Sequence, residues 1–214
     1  TGIVVNFAES VDTVQRNLKE IAPTIFVAVP RIWEKMHSAH IVKMEESVLW
    51  KRVWYKLGHR VGMKYIGKIH RRERIGRGLK LVYEFFRLTL FRVILDHMGL
   101  RRVHFSMCGA APVAPEILMF FHMLGLKVRE AYGSTENSGM ICIHQGDDFV
   151  FGSVGKPIPG VEVKLAEDGE ILIRSGSVFA GYYKNPEATA ATIVDGWLHS
   201  GDVGAFDEHG HLHI

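Results

Sequence analysis

Val103-His104-Phe105-Ser106-Met107, Cys108-Gly109-Ala110-Ala111-Pro112, the run from Pro115 to Leu124, and Lys127-Val128-Arg129-Glu130-Ala131 lie in that order, and their order decides the fold class. The first run is short and apolar at alternate positions, which is the pattern of a strand. Small residues ending in proline follow it, as in a loop. Pro115 then opens an apolar segment of helical length, and the last run returns to strand character. A strand, a helix and a second strand argue for a parallel sheet with helices on its faces. Ligands on such sheets bind beyond the carboxyl ends of the strands, where the Gly109 and Tyr132 loops both emerge.

Upstream, residues 3–6 read as a short strand, followed by Val11, Val14, Leu18 and Ile21 at helical spacing, with Ser10 or Asp12 as the cap. Residues 25–29 are a continuous apolar run, the signature of a buried parallel strand. Pro30 opens a helix that puts Ile32, Trp33 and Met36 on one face. Residues 47–58 and 79–98 predict two further helices, separated by a segment broken at Gly62, Gly67, Gly76 and Gly78. After about Gly146 the character changes to short strands at 161–165, 170–174, 197–199 and 203–206, interrupted by one helix at 186–193. The expected fold class is therefore α/β: a layered, mostly parallel sheet with flanking helices over residues 1–148, then a small β-rich subdomain over 149–214.

The 214 residues are 47% apolar and 23% charged, the composition of a globular chain long enough to bury a core. Cys108 and Cys142 supply neither a disulfide framework nor zinc spacing, so both are expected to be small buried residues in a reducing, cytoplasmic setting. The net charge of +3 conceals an asymmetry: residues 43–102 hold sixteen Lys/Arg against five Asp/Glu. That block also holds Trp50, Trp54, Tyr55, Tyr65, Tyr83, Phe85, Phe86 and Phe91, so it is cationic and aromatic together.

The chemistry concentrates at Ala131-Tyr132-Gly133-Ser134-Thr135-Glu136. An aromatic ring, a glycine that permits close approach, and a hydroxyl beside a carboxylate suit a nucleotide with a hard cation such as Mg²⁺. In Gly109-Ala110-Ala111-Pro112 the side chains are nearly absent, so backbone can lie flat against a planar ring that Tyr132 closes from the other side. Asp202 can accept from two adjacent hydroxyls, as a ribose offers. Each feature has an ordinary structural explanation too: a tight turn, a core tyrosine, a Gly-Asp turn.

Taken in order, these segments resemble the adenylate-forming superfamily, which comprises acyl-CoA synthetases, luciferases and peptide-synthetase adenylation domains. Tyr132 to Glu136 looks like its Tyr-Gly-x-Thr-Glu motif. Gly169 to Arg174 and Gly181 to Thr189 look like the next motif, and Gly196 to Asp202 like the one after, with Ser200 where threonine is more usual. Pro23 to Met36 is similar to long-chain fatty acyl-CoA synthetases in particular. The resemblance implies a carboxylate attacking the α-phosphate of ATP to give an acyl-adenylate, from which a coenzyme A thiol displaces AMP. It implies Gly109, Ala110 and Ala111 on one face of adenine, Tyr132 on the other, and Glu130 and Ala131 at its edge. Gly133 and Ser134 would bind the nucleotide, Thr135 would contact the α-phosphate region, Glu136 would bind Mg²⁺, and Asp202 would hold the ribose hydroxyls. The resemblance implies Thr135 and Glu136 as the catalytic pair.

The Ser/Thr/Gly-rich phosphate loop of that superfamily has no counterpart in this sequence. Gly152-Ser153-Val154-Gly155-Lys156-Pro157 has the wrong glycine spacing, and no hydroxyl follows its lysine. The expectation is a central fragment of a long-chain fatty acid–CoA ligase, inactive alone. An amino-acid-activating domain is disfavoured because Val27-Ala28-Val29-Pro30 stands where that family places a Phe-Asp pair. A non-catalytic nucleotide- or lipid-binding module is the alternative from another class.

For the basic block, helices with solvated faces, contact with anionic membrane or coenzyme A phosphates, and nucleic-acid binding are all chemically open. No recognition motif accompanies the charge, so nucleic acid is set aside. A lipid substrate tilts the reading toward peripheral contact with an anionic membrane. His209, His211 and His213 alternate as metal ligands on one strand face would, though a solvated strand face is the simpler expectation.

Overall fold

A computed structural model describes residues 2–214. They form two compact units. One comprises the residues through Cys108 together with Val113–Val128, the other Gly109–Pro112 and Arg129–Ile214.

The first unit is mostly helical. Its elements are α1 (Val14–Ile21), β1 (Ile25–Ala28), α2 (Pro30–Glu45), α3 (Leu49–His70), α4 (Arg77–Phe86), a π-helical turn at Arg87–Phe91, α5 (Arg92–His97), β2 (Phe105–Gly109) and α6 (Pro115–Leu124). β1 and β2 run parallel, with Ile25 opposite Phe105 and Ala28 opposite Cys108. Trp33 is the anchor of the core: its ring meets Phe26 and Phe121 edge-on at 5.0 and 4.9 Å, and its indole N–H donates to the Ala28 carbonyl at 3.2 Å. Ile32, Trp33 and Met36 are buried on one face of α2, as their spacing requires. β1 is covered on one face alone, because Ile25 and Val27 point away from Trp33 and remain about half exposed.

Two sequence expectations change here. Residues 3–6 form no strand. Gly62 and Gly67 do not interrupt the chain but lie inside the 22-residue α3. Gly58 and Gly62 are the points where α3 approaches its neighbours most closely. A Cβ at Gly58 would come within 3.0 Å of Phe86, and one at Gly62 within 3.0 Å of Phe91. Gly62, which looks like a breaker, is therefore a packing position, and close contact there outweighs its low helix propensity.

The second unit is antiparallel. β3 (Val128–Ser134) leads through a 3₁₀ turn at Thr135–Asn137 into β4 (Gly139–Ile143), which pairs with β5 (Lys156–Pro157). A connection this short can join only antiparallel strands, and β3 and β4 pair in that way. Then come β6 (Val161–Leu165), β7 (Glu170–Ser175), α7 (Pro186–Thr192), β8 (Ile193–Val194), β9 (Trp197–Val203), β10 (Ala205–Phe206) and β11 (Leu212–His213). β6, β7, β9 and β8 form a four-stranded sheet in that order, and β10 pairs with β11. Its core is Ile141, Cys142, Ile171, Ile173, Leu198 and Leu212, all at most 1% exposed, with Tyr132 packed against them. β3 from Arg129 onward thus belongs to this unit. Among the described residues, neither Cys108 nor Cys142 is in a disulfide, and both are buried.

Candidate functional site

Every residue that the sequence singles out for nucleotide chemistry lies in the second unit. The loop Gly109–Pro112 belongs to it, and a Cβ on Gly109 would sit 3.1 Å from the Ala131 carbonyl oxygen. Ala110 adopts a left-handed backbone conformation, φ 72°, which is strained for a residue carrying a Cβ. Ala110 and Ala111 are exposed, so the loop offers bare backbone and methyl groups.

Tyr132 and Asp202 are 70 residues apart in sequence and meet here. The Tyr132 hydroxyl donates to Asp202 Oδ2 at 2.5 Å. Burial and then the hydrogen bond to the Asp202 carboxylate hold the phenol well above its ordinary pKa, so it stays a donor. The ring packs against the core, while Asp202 is exposed. The turn that carries Asp202 is fixed from two sides. The Ser200 hydroxyl accepts from the Asp202 amide at 3.1 Å, and Glu170 Oε1 accepts from the Gly201 amide at 2.9 Å. Glu170 Oε2 also lies 2.7 Å from His199 Nδ1. Sequence reasoning missed Glu170 as the support of this turn; only the structure pairs β7 with β9.

Ser134, Thr135 and Glu136 stand at the end of β3. A capping box orders the turn: the Ser134 backbone amide donates to Asn137 Oδ1 at 3.0 Å, and the Asn137 side-chain Nδ2 donates to Ser134 Oγ at 3.2 Å. Thr135 is exposed. The Glu136 carbonyl accepts from the Phe179 amide at 2.7 Å, and its carboxylate accepts from the Tyr182 hydroxyl at 3.0 Å. Its own backbone amide, then the hydroxyls of Ser134 and Tyr182, hold the Glu136 carboxyl below its usual pKa. It is therefore an anion at neutral pH. Tyr182 lies in a stretch singled out by sequence, but nothing there marks it as the partner of Glu136.

No group of three or more His, Cys, Asp or Glu side chains suited to a metal exists among the described residues. One ionised, accessible carboxylate does suit Mg²⁺, which keeps most of its ligands from water and substrate phosphates. Glu136 fits that role. The histidine triplet does not form a solvated strand face: His211 is fully buried, and only His213 of the three lies in β11. His211 Nε2 sits 3.1 Å from Asp148, and the His209 and His211 amides both donate to Asp207 at 2.8 Å. Lys156 of the glycine-containing decoy segment pairs with Asp148 at 2.7 Å.

Glu130, expected at an adenine edge, is 7% exposed, and its Oε2 has no hydrogen-bond partner within the protein. Burial pushes its pKa up to about 7, against a lowering contribution from a Gly152 backbone hydrogen bond. Beneath it, the imidazole of His144 accepts from the Glu130 amide at 3.3 Å, and burial pushes its pKa down to about 4. The signs oppose each other. A raised folded-state pKa on Glu130 removes stability as pH climbs from about 4.5 to 7, whereas the lowered one on His144 removes stability as pH falls from about 6.5 to 4. Glu130→Gln isolates the first effect. Relative to wild type, it should gain about 2 kcal/mol more stability at pH 8 than at pH 5. Denaturant midpoints at the two pH values measure this, and equal gains would show that Glu130 ionises freely.

A family model described as "AMP-binding enzyme" matches residues 1–183. The chain is 32% identical to "Long-chain-fatty-acid--CoA ligase FadD15" of Mycobacterium bovis over 99% of its length and 35% of that protein. It is 30% identical to "Long-chain-fatty-acid--CoA ligase ACSBG2" of Homo sapiens, over 94% of its length and 31% of that protein. The chain thus spans about a third of the length of the curated relatives it matches. Among solved structures, "O-succinylbenzoate Coenzyme A Synthetase (MenE) from Bacillus Subtilis, in complex with AMP" shares the fold, with a TM-score of 0.59 at 20% identity, over 95% of this chain and 33% of that one.

Proposed function

We propose that this chain, which belongs to the AMP-binding enzyme family, forms the adenylate-binding part of an ATP-dependent long-chain fatty acid–CoA ligase. The observation that carries the reading is the Tyr132–Asp202 hydrogen bond, which joins a ring suited to a base and a carboxylate suited to a ribose. Relatives at about 30% identity with fatty-acid–CoA ligase names support the substrate class.

In this reading adenine lies between the Gly109-Ala110-Ala111 backbone and Tyr132, with Glu130 and Ala131 at its edge. Asp202 Oδ2 is held by the phenol, leaving the other carboxylate oxygen to accept from the ribose hydroxyls. Gly133 and Ser134 bring backbone close to the phosphates, and Thr135 donates to the α-phosphate. Glu136 holds Mg²⁺, which when bound offsets negative charge on the phosphate oxygens. A fatty-acid carboxylate oxygen bonds to the α-phosphorus as the bond to pyrophosphate breaks. The coenzyme A thiol, losing its proton, then bonds to the acyl carbon as AMP leaves. No side chain acts as a covalent nucleophile, so rate enhancement comes from positioning and fixed charge. Because the sequence has no Ser/Thr/Gly-rich phosphate loop, the chain alone is proposed to be inactive.

Asp202→Ala in the full-length protein tests the assignment. ATP and AMP affinity should fall tenfold to about a hundredfold, the size expected for hydrogen bonds to a charged group. Affinity for a long-chain fatty acid should stay unchanged in the same titration calorimetry. Equal weakening of both would sink the ribose role.

A further inference from the structure

Helix α3 carries Lys51, Arg52, Lys56, Arg60, Lys64 and Lys68 and not one acidic residue. Its buried face is Tyr55, Gly58, Gly62 and Ile66, at helical spacing. The opposite side would be polar in an ordinary surface helix. Instead Trp50, Val53, Trp54 and Leu57 recur there at i, i+3, i+4 and i+7, with Leu49 before them. Leu49 is 74% exposed and Trp50 66%, and Val53 and Leu57 are exposed as well. Among the described residues, no ion pair involves Lys51, Arg52, Lys56 or Arg60. Lys51 instead lies over the Trp50 ring at 5.5 Å.

The apolar stripe does not end with α3. The Trp54 ring meets Phe85 edge-on at 5.9 Å and Phe86 at 4.9 Å, which carries the stripe onto α4. There Leu81 and Phe85 are also exposed. A contiguous apolar face of this extent calls for a partner.

We infer that the exposed face of α3 and α4 is a docking surface for an anionic lipid bilayer, with the two helices lying in the interface plane. Three observations select that occupant. Unpaired Lys and Arg side chains border the apolar stripe, so the apolar groups can enter the acyl boundary while the cations reach the headgroups. Tryptophan prefers that boundary, because its ring is apolar with one polar N–H. No helix among the described residues is long and apolar enough to cross a membrane, so α3 would lie on the bilayer, not span it. A second copy of this chain fits less well, since a twofold contact would set these cations against their own equivalents. A nucleic acid would satisfy the cations but leave Leu49, Trp50 and Val53 against phosphate or water. The surface stands on unit-one residues alone and does not depend on the ligase reading.

The test uses the full-length protein and sedimentation with phosphatidylcholine vesicles, with or without about 30% phosphatidylglycerol. Binding is expected to the anionic vesicles, with loss at roughly 0.5 M salt, where the Debye length has shrunk to a few ångströms. The triple variant Lys51→Ala, Arg52→Ala, Lys56→Ala should bind those vesicles on the order of a hundredfold more weakly, about fivefold for each cation removed. Trp50→Ser should also weaken binding and reduce the blue shift of tryptophan emission on mixing. Since all four positions are exposed, both variants should keep the wild-type circular dichroism and denaturant midpoint. Wild-type protein that ignores anionic vesicles, or variants that bind as it does, would overturn the inference. So would a dimer that Trp50→Ser converts to monomer without any change in vesicle binding.

Discussion

Glu136→Ala in the full-length protein should lower carboxylate-dependent pyrophosphate exchange by about a thousandfold, a barrier increase of about 4 kcal/mol. The size follows from what the side chain offers. Glu136 is an accessible carboxylate, and its own amide, Ser134 and Tyr182 keep it ionised. Nothing else within the turn at Thr135–Asn137 carries charge. Losing the carboxylate therefore removes the one fixed anion available there to a cation that neutralises phosphate charge during adenylate formation. The fold should survive, because the carboxylate's hydrogen bond to Tyr182 is exposed and the Phe179 amide bonds to the Glu136 backbone carbonyl, which alanine retains. Tyr182→Phe separates the two roles: it deletes the hydrogen bond but keeps the anion, so exchange should change only severalfold. The Mg²⁺ concentration for half-maximal exchange should rise in Glu136→Asp and hardly move in Tyr182→Phe. Pyrophosphate exchange at the wild-type rate in Glu136→Ala would remove this residue from the proposed chemistry.

How much of this was legible in the sequence depended on the range of the interaction. α6 is read to the residue, because Pro115 opens it and Gly125, with φ 95°, closes it. Both are local signals. β6 is likewise read to the residue. α3 is misread beyond Gly58 because the reason for Gly58 and Gly62 lies on Phe86, Leu90, Phe91 and Met123, far away in sequence. The antiparallel return of β4 is hidden for a different reason. A capping box and a left-handed Ser138 (φ 61°) turn the chain back, and neither stands out among ordinary polar residues.

The site follows the same division. Tyr132, Glu136 and Asp202 announce themselves by residue type and spacing. Their supports do not: Tyr182 for Glu136 and Glu170 for the Gly201 turn arise from pairings across 46 and 31 residues. Glu130 shows the converse. As a sequence symbol it is one more charged residue, and only burial makes it a carboxyl that titrates at about 7.

Gly133 is where fold and site constrain each other, and Gly133→Ala should destabilise the protein by at least about 3 kcal/mol. Its backbone is not left-handed, so conformational freedom is not the reason. The reason is space. A Cβ there would lie 2.9 Å from the Met140 Cα and 2.6 Å from the Gly139 carbonyl carbon, with the carbonyl oxygen nearer still. All of these are backbone atoms of β4, which cannot swing aside as a flexible side chain can. They also lie at the irregularity where the β3–β4 register shifts between Tyr132 and Gly133. Such a bulge re-aims the side chains on either side of it. Relief of the clash must therefore move β4 away from β3, or rotate the segment that carries Tyr132 on one side and Glu136 on the other. The first route costs ladder hydrogen bonds, and the second separates the Tyr132 hydroxyl from Asp202. Gly176→Ala is the control, since a Cβ there meets nothing within 4 Å and the unit is the same. Its denaturant midpoint should match wild type within about 0.5 kcal/mol. A Gly133→Ala midpoint equal to that of Gly176→Ala would mean that β4 yields at no cost, and the close packing of the two strands would not be what holds this turn.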